Sequence, residues 1–317
     1  MTTIETYERQ SAIDNALMSI YWEVILHEPG RRTLLETLSE KLPHIPMATW
    51  PERLTWGGLF VNGHEVKGDL TLPSPFRLEY YEPRYNFQEP YSFFPKFDSK
   101  WVLYEDDDLL VMLKPQGLPS MPAREQKRYC LKVYADSYVG KPVHMPSRLD
   151  MSTAGVVVMS KNEKYHNTVQ RLFERRRVKK SYLFETASAV SFERITVNKP
   201  IDRDPTHQVL RTTVTEGGKP AVTTFERIGE GMLKTESGEI PTVLIKAEPL
   251  TGRTHQIRVH ALSIGVPVVG DKFYMGAPAS SLHLLSYEVA LPHPRSGGEI
   301  VVGLRPEMIP EWAHKVL

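Results

Sequence analysis

The chain has 317 residues, 41% of them hydrophobic and 24% charged, enough for a sizeable core and two domains, one of them large. Cys130 is the only cysteine, which excludes an intrachain disulfide and any zinc site built on several thiolates. No apolar run reaches the length of a membrane span, and the first residues lack the apolar core of a signal peptide, so the cytoplasm is the expected compartment. The net charge of +1 hides an asymmetry: residues 1–98 hold 9 Lys/Arg against 14 Asp/Glu, and residues 99–317 hold 30 against 24. A polyanion would meet the second part more readily.

In chain order, residues 3–27 carry Ile13, Leu17, Ile20 and Val24 at helical spacing, which predicts a helix broken by Pro29-Gly30. "RRTLLETLSEKLP" predicts a short amphipathic helix, and "GGLFVNGHEV" a hairpin turning at Asn62-Gly63. Residues 83–98 are rich in proline and aromatics, which predicts a linker that follows a surface, because so many aromatic rings are costly to leave in water. A larger domain is expected from residue 99. It opens with strand, turn and strand in "KWVLYEDDDLLVMLKP", Asp106, Asp107 and Asp108 forming a solvated tip. "AGVVVMS" reads as a buried strand, followed by a helix capped by Asn162 with Tyr165, Val169, Leu172 and Phe173 on its apolar face. "KKSYLFETASAV" reads as a strand with Lys180 and Tyr182 on one face. "THQIRVHALSIG" reads as a helix capped by Thr254 and stopped by Gly265. Strands outnumber helices and often follow one another, which points to an α+β fold with a mostly antiparallel sheet.

Several residues could carry chemistry. "RLFERRRVKKSY" gathers Arg171, Arg175, Arg176, Arg177, Lys179 and Lys180, either a solvated helix end or a patch for phosphates. "LTGRTHQIRVH" holds Arg253, His255, Arg258 and His260. The two histidines are five apart and do not share a helix face, which makes a poor metal site, whereas His255 and Arg258 do share one. No Gly-rich phosphate loop and no GxSxG elbow occur. Asp150, in "SRLDMSTAG" just ahead of the buried strand, is the most conspicuous candidate nucleophile or base.

Four blocks stand in the order of the RluA family of pseudouridine synthases. "KPQGLPSMP" (114–122) resembles KPxGLxVHP, "SRLDMSTAG" (147–155) resembles HRLDxxTSG, and "KKSY" (179–182) resembles the family's KxY strand. "LTGRTHQIRVHALSIGVPVVGDKFYMG" (250–276) resembles the long RTHQIRVH…GDxxYG block, and "SLHLLSYEVALPHP" the usual tail. The likeness covers about residues 99–305. Ser147, Ala154 and Met121 depart from it, replacing a histidine, a serine and a histidine. Residues 30–83 more weakly resemble the small RNA-binding module that precedes many such enzymes, although their acidic balance speaks against a strong grip on phosphates.

The resemblance implies a pseudouridine synthase fold: a mixed, mostly antiparallel sheet flanked by helices, preceded by a small N-terminal α/β module. The expected organisation is a helical extension over 1–29, the module over 30–82, the linker over 83–98 and the catalytic domain over 99–317. The implied reaction is isomerisation of uridine to pseudouridine in structured ribosomal or transfer RNA. It uses no cofactor and no metal, in a monomer with no membrane attachment. By resemblance, Asp150 is the catalytic carboxylate, Tyr182 the base-stacking tyrosine and candidate acceptor of the carbon-5 proton, and Arg253 the cation that keeps the aspartate ionised. Arg148 would fill the space a flipped uridine leaves. Arg171, Arg175, Arg176, Arg177, Lys179, Lys180, His255 and Arg258 would bind RNA. Two other readings remain at this level: a non-catalytic RNA-binding protein on the same fold, and a metal-dependent hydrolase using Asp106, Asp107 and Asp108.

Overall fold

A computed structural model describes residues 18–26, 32–43, 45–56, 59–72, 76–83, 94–122, 129–205, 210–235 and 238–316. The chain forms two compact units, Met1–Pro95 with Met121–Val133, and Lys96–Ser120 with Tyr134–Leu317.

The first unit is built on a four-stranded antiparallel sheet in the order β1 (Met18–Leu26), β4 (Phe76–Pro83), β2 (Leu59–Val61), β3 (His64–Glu65). Helix α1 (Leu34–Lys41) opens with a capping box, Thr33 and Glu36 each accepting the other's backbone N–H. With α2 (Trp50–Trp56) it covers the sheet: Leu34, Leu38, Trp50 and Leu54 pack on Leu59, Val61, Leu78 and Tyr80. Asn62 and Gly63 both take positive φ, 51° and 81°, the conformation that a two-residue hairpin with the right twist requires.

The helix expected over residues 3–27 is corrected for its second half, which is the strand β1, an integral member of this sheet. "MSIYWEVIL" is dense in β-branched and aromatic residues, which fit a pleated surface, and its helical spacing is a coincidence of a nearly continuous apolar run. Residues 1–17, and residues 84–93 of the expected linker, lie outside the described residues. Of the linker's aromatics, Phe94 is buried and stacked on Tyr129 at 5.2 Å, and Phe97 packs on Trp101 and Tyr138.

The second unit centres on a nine-stranded mixed sheet. Its path runs β5 (Val102–Glu105), β6 (Leu109–Lys114), β7 (Ala154–Ser160), β14 (Leu284–Pro292), β8 (Lys179–Thr186), β13 (Gly238–Pro249), β12 (Val222–Thr235), β9 (Arg194–Asn198), with β15 (Glu299–Gly303) also on β14. Among these pairings only β7 with β14 is parallel. A small hairpin, β10 (Ile201–Arg203) with β11 (Arg211–Thr213), stands apart. Helices α3 (Leu131–Val139), α4 (Glu163–Glu174) and α5 (Gln256–Ser263) complete the set, with short 3-10 turns near the C-terminus. Among the described residues no helix is long and apolar enough to cross a membrane.

Period-two alternation divides β8 between two cores. Leu183 joins Val111, Val158 and Leu285 under Val169 of α4 and Trp312. Phe184 joins Phe225, Ala247 and Leu284 under Ile257 and Ala261 of α5, and Tyr182 packs against the same cluster. The strand therefore turns Tyr182 toward the side of the sheet that α5 covers. Helix α4 begins where Asn162 accepts the Lys164 N–H, and α5 ends at Gly265, whose φ is +78°.

Candidate active site

Asp150 lies in the loop that enters β7, and the segment following β6 holds that loop from behind. Ser120 Oγ accepts the Leu149 N–H at 3.0 Å and donates to the Leu149 carbonyl at 2.7 Å. The Gly117 N–H donates to the Met151 carbonyl at 2.9 Å, and Gln116 Nε2 to the Ser152 carbonyl at 2.8 Å. Lys114 is fully buried, and its ammonium donates to the carbonyls of Pro115, Leu118 and Met151 at 3.1, 2.6 and 3.2 Å. Burial pushes this lysine down to about 7, while the Asp150 charge opposes the shift. The turn closes with the Thr153 N–H on the Asp150 carbonyl. Gly155 then enters the strand at φ +124°, where any Cβ would stand 2.1 Å from the Ser286 carbonyl oxygen, so β7 and β14 can approach only at glycine.

The side chains facing Asp150 come from the start of α5. Arg258 Nη1 stands 3.5 Å and His255 Nε2 3.7 Å from Asp150 Oδ2, and among the described residues these are the cationic or imidazole groups within ion-pair distance of it. The rest of the Arg258 guanidinium is taken by Asp271, Nε to Oδ2 at 2.6 Å and Nη2 to Oδ1 at 2.8 Å. Its flat face lies over Tyr274 at 4.9 Å and Phe273 at 5.6 Å. Burial works against the Arg258 charge, but Asp271 and Asp150 hold its pKa above the usual value. The Tyr182 phenol is pushed up to about 12, by burial first and then by the Asp150 charge, with the Ser286 hydroxyl pulling the other way. The site thus joins an anchored carboxylate, a guanidinium fixed by a second carboxylate, and an aromatic ring that feels the first carboxylate's charge.

Arg253, expected to pair with Asp150, makes no ion pair with it among the described residues. Arg253 sits in the turn ahead of α5, and its Nε donates to the Pro220 carbonyl at 3.1 Å. Arg258, five residues on and inside the helix, makes the approach instead. Arg258 is also 4% exposed with its donors engaged, so it is an interior group and not a surface contact for phosphate. His255 likewise faces inward, with Nδ1 2.8 Å from the Tyr274 hydroxyl. The expected Thr254 cap is replaced by His255, which occupies the cap position in the left-handed region (φ 57°, ψ 18°) without capping through its side chain. The turn is secured by Gln256, whose Oε1 accepts from the Thr251 hydroxyl and the Arg253 N–H.

Arg148 is exposed, two residues from Asp150, with no hydrogen bond or ion pair to its side chain among the described residues. Arg171, Arg175, Arg176 and Arg177 are exposed at the end of α4 and the turn into β8, and Lys179 is exposed with a long contact to Glu299 at 3.9 Å. Lys180 is separate from this patch: it is largely buried, burial lowers its pKa, and its Nζ would lie 3.7 Å from a Cβ on Gly252. Lys114, Gln116, Ser120, Asp271 and Tyr274 were not singled out from sequence, although they stand inside the quoted blocks; nothing in their spacing announces which loop they hold.

The acidic triplet is not a solvated tip. Asp107 is exposed, but Asp108 is 1% exposed and accepts from Arg295 (2.6 and 2.8 Å) and Asn162 (2.8 Å). Asp106 accepts from Tyr104, His293 and the backbone N–H groups of Asp108 and Leu109. Asp106, Asp108 and His293 cluster closely enough to hold a metal ion, yet their ligand atoms are engaged with one another and with Arg295, so the geometry supports a structural network.

The sequence profile of a family described as RNA pseudouridylate synthase matches residues 108–263. The dual-specificity RNA pseudouridine synthase RluA of Vibrio parahaemolyticus is 33% identical over 207 residues, covering 62% of this chain and 78% of that protein. The enzyme of the same name from Escherichia coli K12 is 32% identical over 206 residues, covering 63% and 90%. The solved structure of human RNA pseudouridylate synthase domain containing 1 shares the fold, with TM-score 0.56 and 24% identity over 67% of this chain and 85% of that one. This chain belongs to the RluA family of RNA pseudouridine synthases and is an isomerase that converts uridine in RNA to pseudouridine.

Proposed function

We propose that the substrate is uridine in folded ribosomal or transfer RNA, and that Asp150 is the carboxylate that reacts. The observation that carries this reading is the Asp150–Arg258 contact, made in a loop that residues 114–120 fix from behind. A carboxylate facing a fixed guanidinium is oriented by it, and one whose backbone is clamped on both sides keeps its position. The relatives named above are called dual-specificity, and by that likeness this chain acts on more than one RNA.

The reaction cuts the bond from ribose to uracil nitrogen 1, turns the base and joins carbon 5 to the same sugar carbon. Atoms are conserved and nothing is oxidised, so the work required is placement, charge stabilisation and proton transfer. A uridine in folded RNA first leaves its stack, and exposed Arg148 beside the loop fills the gap. Asp150 acts at the sugar and base, and Arg258 stabilises its charge. The Tyr182 ring stacks on the uracil. Its hydroxyl oxygen takes the proton leaving carbon 5 and gives up its own, and nitrogen 1, freed from the sugar, gains one proton in exchange, so Tyr182 and Asp150 end as they began. The exposed arginines after α4 contact phosphates and orient the RNA without reading sequence. Mapping pseudouridines in ribosomal and transfer RNA from cells with and without this protein tests the substrate assignment. Sites lost with the protein and restored by it in vitro are expected in one or both classes; an unchanged map in both would contradict it.

A further inference from the structure

His255 stands in the left-handed backbone region at the cap of α5, where non-glycine residues are uncommon. Asn, Asp and His are the non-glycine residues enriched there, whereas a helix cap is usually Ser, Thr, Asp or Asn. His255 stands at both positions at once and makes no capping bond with its side chain. Asn, Asp or Ser at this cap would supply the capping bond that His255 does not make, and the imidazole is turned to other partners.

The imidazole is held at both ends. Nδ1 lies 2.8 Å from the Tyr274 hydroxyl, and Tyr274 is 3% exposed. That hydroxyl accepts the Arg211 backbone N–H at 2.9 Å. Its own proton has one acceptor among the described residues, His255 Nδ1. The neutral ring therefore carries its hydrogen on Nε2, the atom 3.7 Å from Asp150 Oδ2. Arg258 Nη1 approaches the same oxygen at 3.5 Å. Both groups lie nearest Oδ2, which leaves Oδ1 for the sugar. Distances of this length are approaches rather than bonds, and such contacts commonly tighten when substrate closes the site.

We propose that His255 is a positioning residue for the reaction: Tyr274 fixes its tautomer, and the Nε2–H and Arg258 together orient the Asp150 carboxylate by one oxygen. The inference rests on the reading of Asp150 as the reacting group. The charged and titratable groups around the ring are Asp150, Arg258, Arg211, Asp271 and Tyr274. Burial, with Arg258 and Arg211 beside it, holds the imidazole below its usual pKa against the pull of Asp150 and Asp271, which favours the neutral ring at neutral pH.

The test is single-turnover pseudouridine formation on an RNA that the parent protein modifies, across about pH 5 to 8, with RNA affinity and thermal unfolding measured for each variant. His255→Gln keeps an N–H near the Nε2 position and cannot titrate or change tautomer. His255→Asn suits the left-handed backbone but does not reach Asp150. We expect Gln to stay within about tenfold of the parent and Asn and Ala to fall by roughly a hundredfold or more, as for loss of an aimed donor, with RNA affinity unchanged. Tyr274→Phe should slow the parent by about tenfold yet add less than about threefold in the Gln background, because a fixed donor needs no tautomer lock. Gln no better than Asn, or a Tyr274→Phe effect of equal size in both backgrounds, would overturn the proposal. Asp150→Asn measured alongside separates the two claims. If that variant is active, the reading of Asp150 fails and this inference with it; if it is inactive while Gln and Asn are alike, the inference alone fails.

Discussion

Arg258 bridges two carboxylates of unequal commitment: Asp271, bound at 2.6 and 2.8 Å through two nitrogens, and Asp150, met by the third at 3.5 Å. The first contact fixes the guanidinium, and the second presents it to the reactive loop. A lysine offers a point charge and cannot hold both partners in one plane. Arg258→Lys is therefore expected to lower the single-turnover rate by about two to three powers of ten, while Arg253→Ala, which among the described residues removes a bond to the Pro220 carbonyl, stays within about tenfold. Single-turnover rates for both variants check this. The reverse ranking would return the pairing role to Arg253.

Tyr182 separates stacking from proton transfer. Phenylalanine retains the ring, so Tyr182→Phe should bind RNA as the parent does but lose about two to four powers of ten in rate, the usual weight of general-base assistance. Tyr182→Ala should lose rate and binding together. An intermediate joined through carbon 5 and still carrying its hydrogen is expected to accumulate with the Phe variant, visible by mass spectrometry of digested RNA. A Phe variant within about threefold of the parent would leave Tyr182 a stacking surface only.

The exposed arginines after α4 make a different kind of prediction. Arg175 and Arg176 carry no ion pair among the described residues, so their charge is available to phosphates. Reversing both to Glu should weaken RNA binding across unrelated sequences and flatten the salt dependence by about one to two in slope. Affinity and slope equal to the parent's would make them ordinary solvated charges.

Several elements of both units were legible because local signals and tertiary demands agree there. The strand Ala154–Ser160, the Asn162 cap, the Gly265 stop and the Asn62-Gly63 turn each follow from side-chain chemistry that acts within a few residues. Met18–Leu26 was misread because a continuous apolar run satisfies two periods, and the pairing with Phe76–Pro83 that selects one of them is remote in sequence. Which of Arg253 and Arg258 approaches Asp150 was not legible for a related reason. Both stand in one block, and only the geometry of the turn, fixed by Gln256 reaching to Val222 and Thr223, decides which side chain faces Asp150. Asp108 looked solvated because its partner Arg295 lies 187 residues away. Lys114 gave no signal of its burial: a lysine at the end of a strand reads as surface, and the carbonyls of Pro115, Leu118 and Met151 that enclose it converge only after folding.

Asp150 carries the account, and the direct measurement is single-turnover pseudouridine formation by Asp150→Asn beside its RNA affinity. The amide keeps the shape of the side chain and removes the charge that Arg258 and His255 face. The account predicts no detectable product, with RNA affinity within about tenfold of the parent, since phosphate contacts supply most of the binding. Substantial turnover by a clean Asp150→Asn preparation would contradict it.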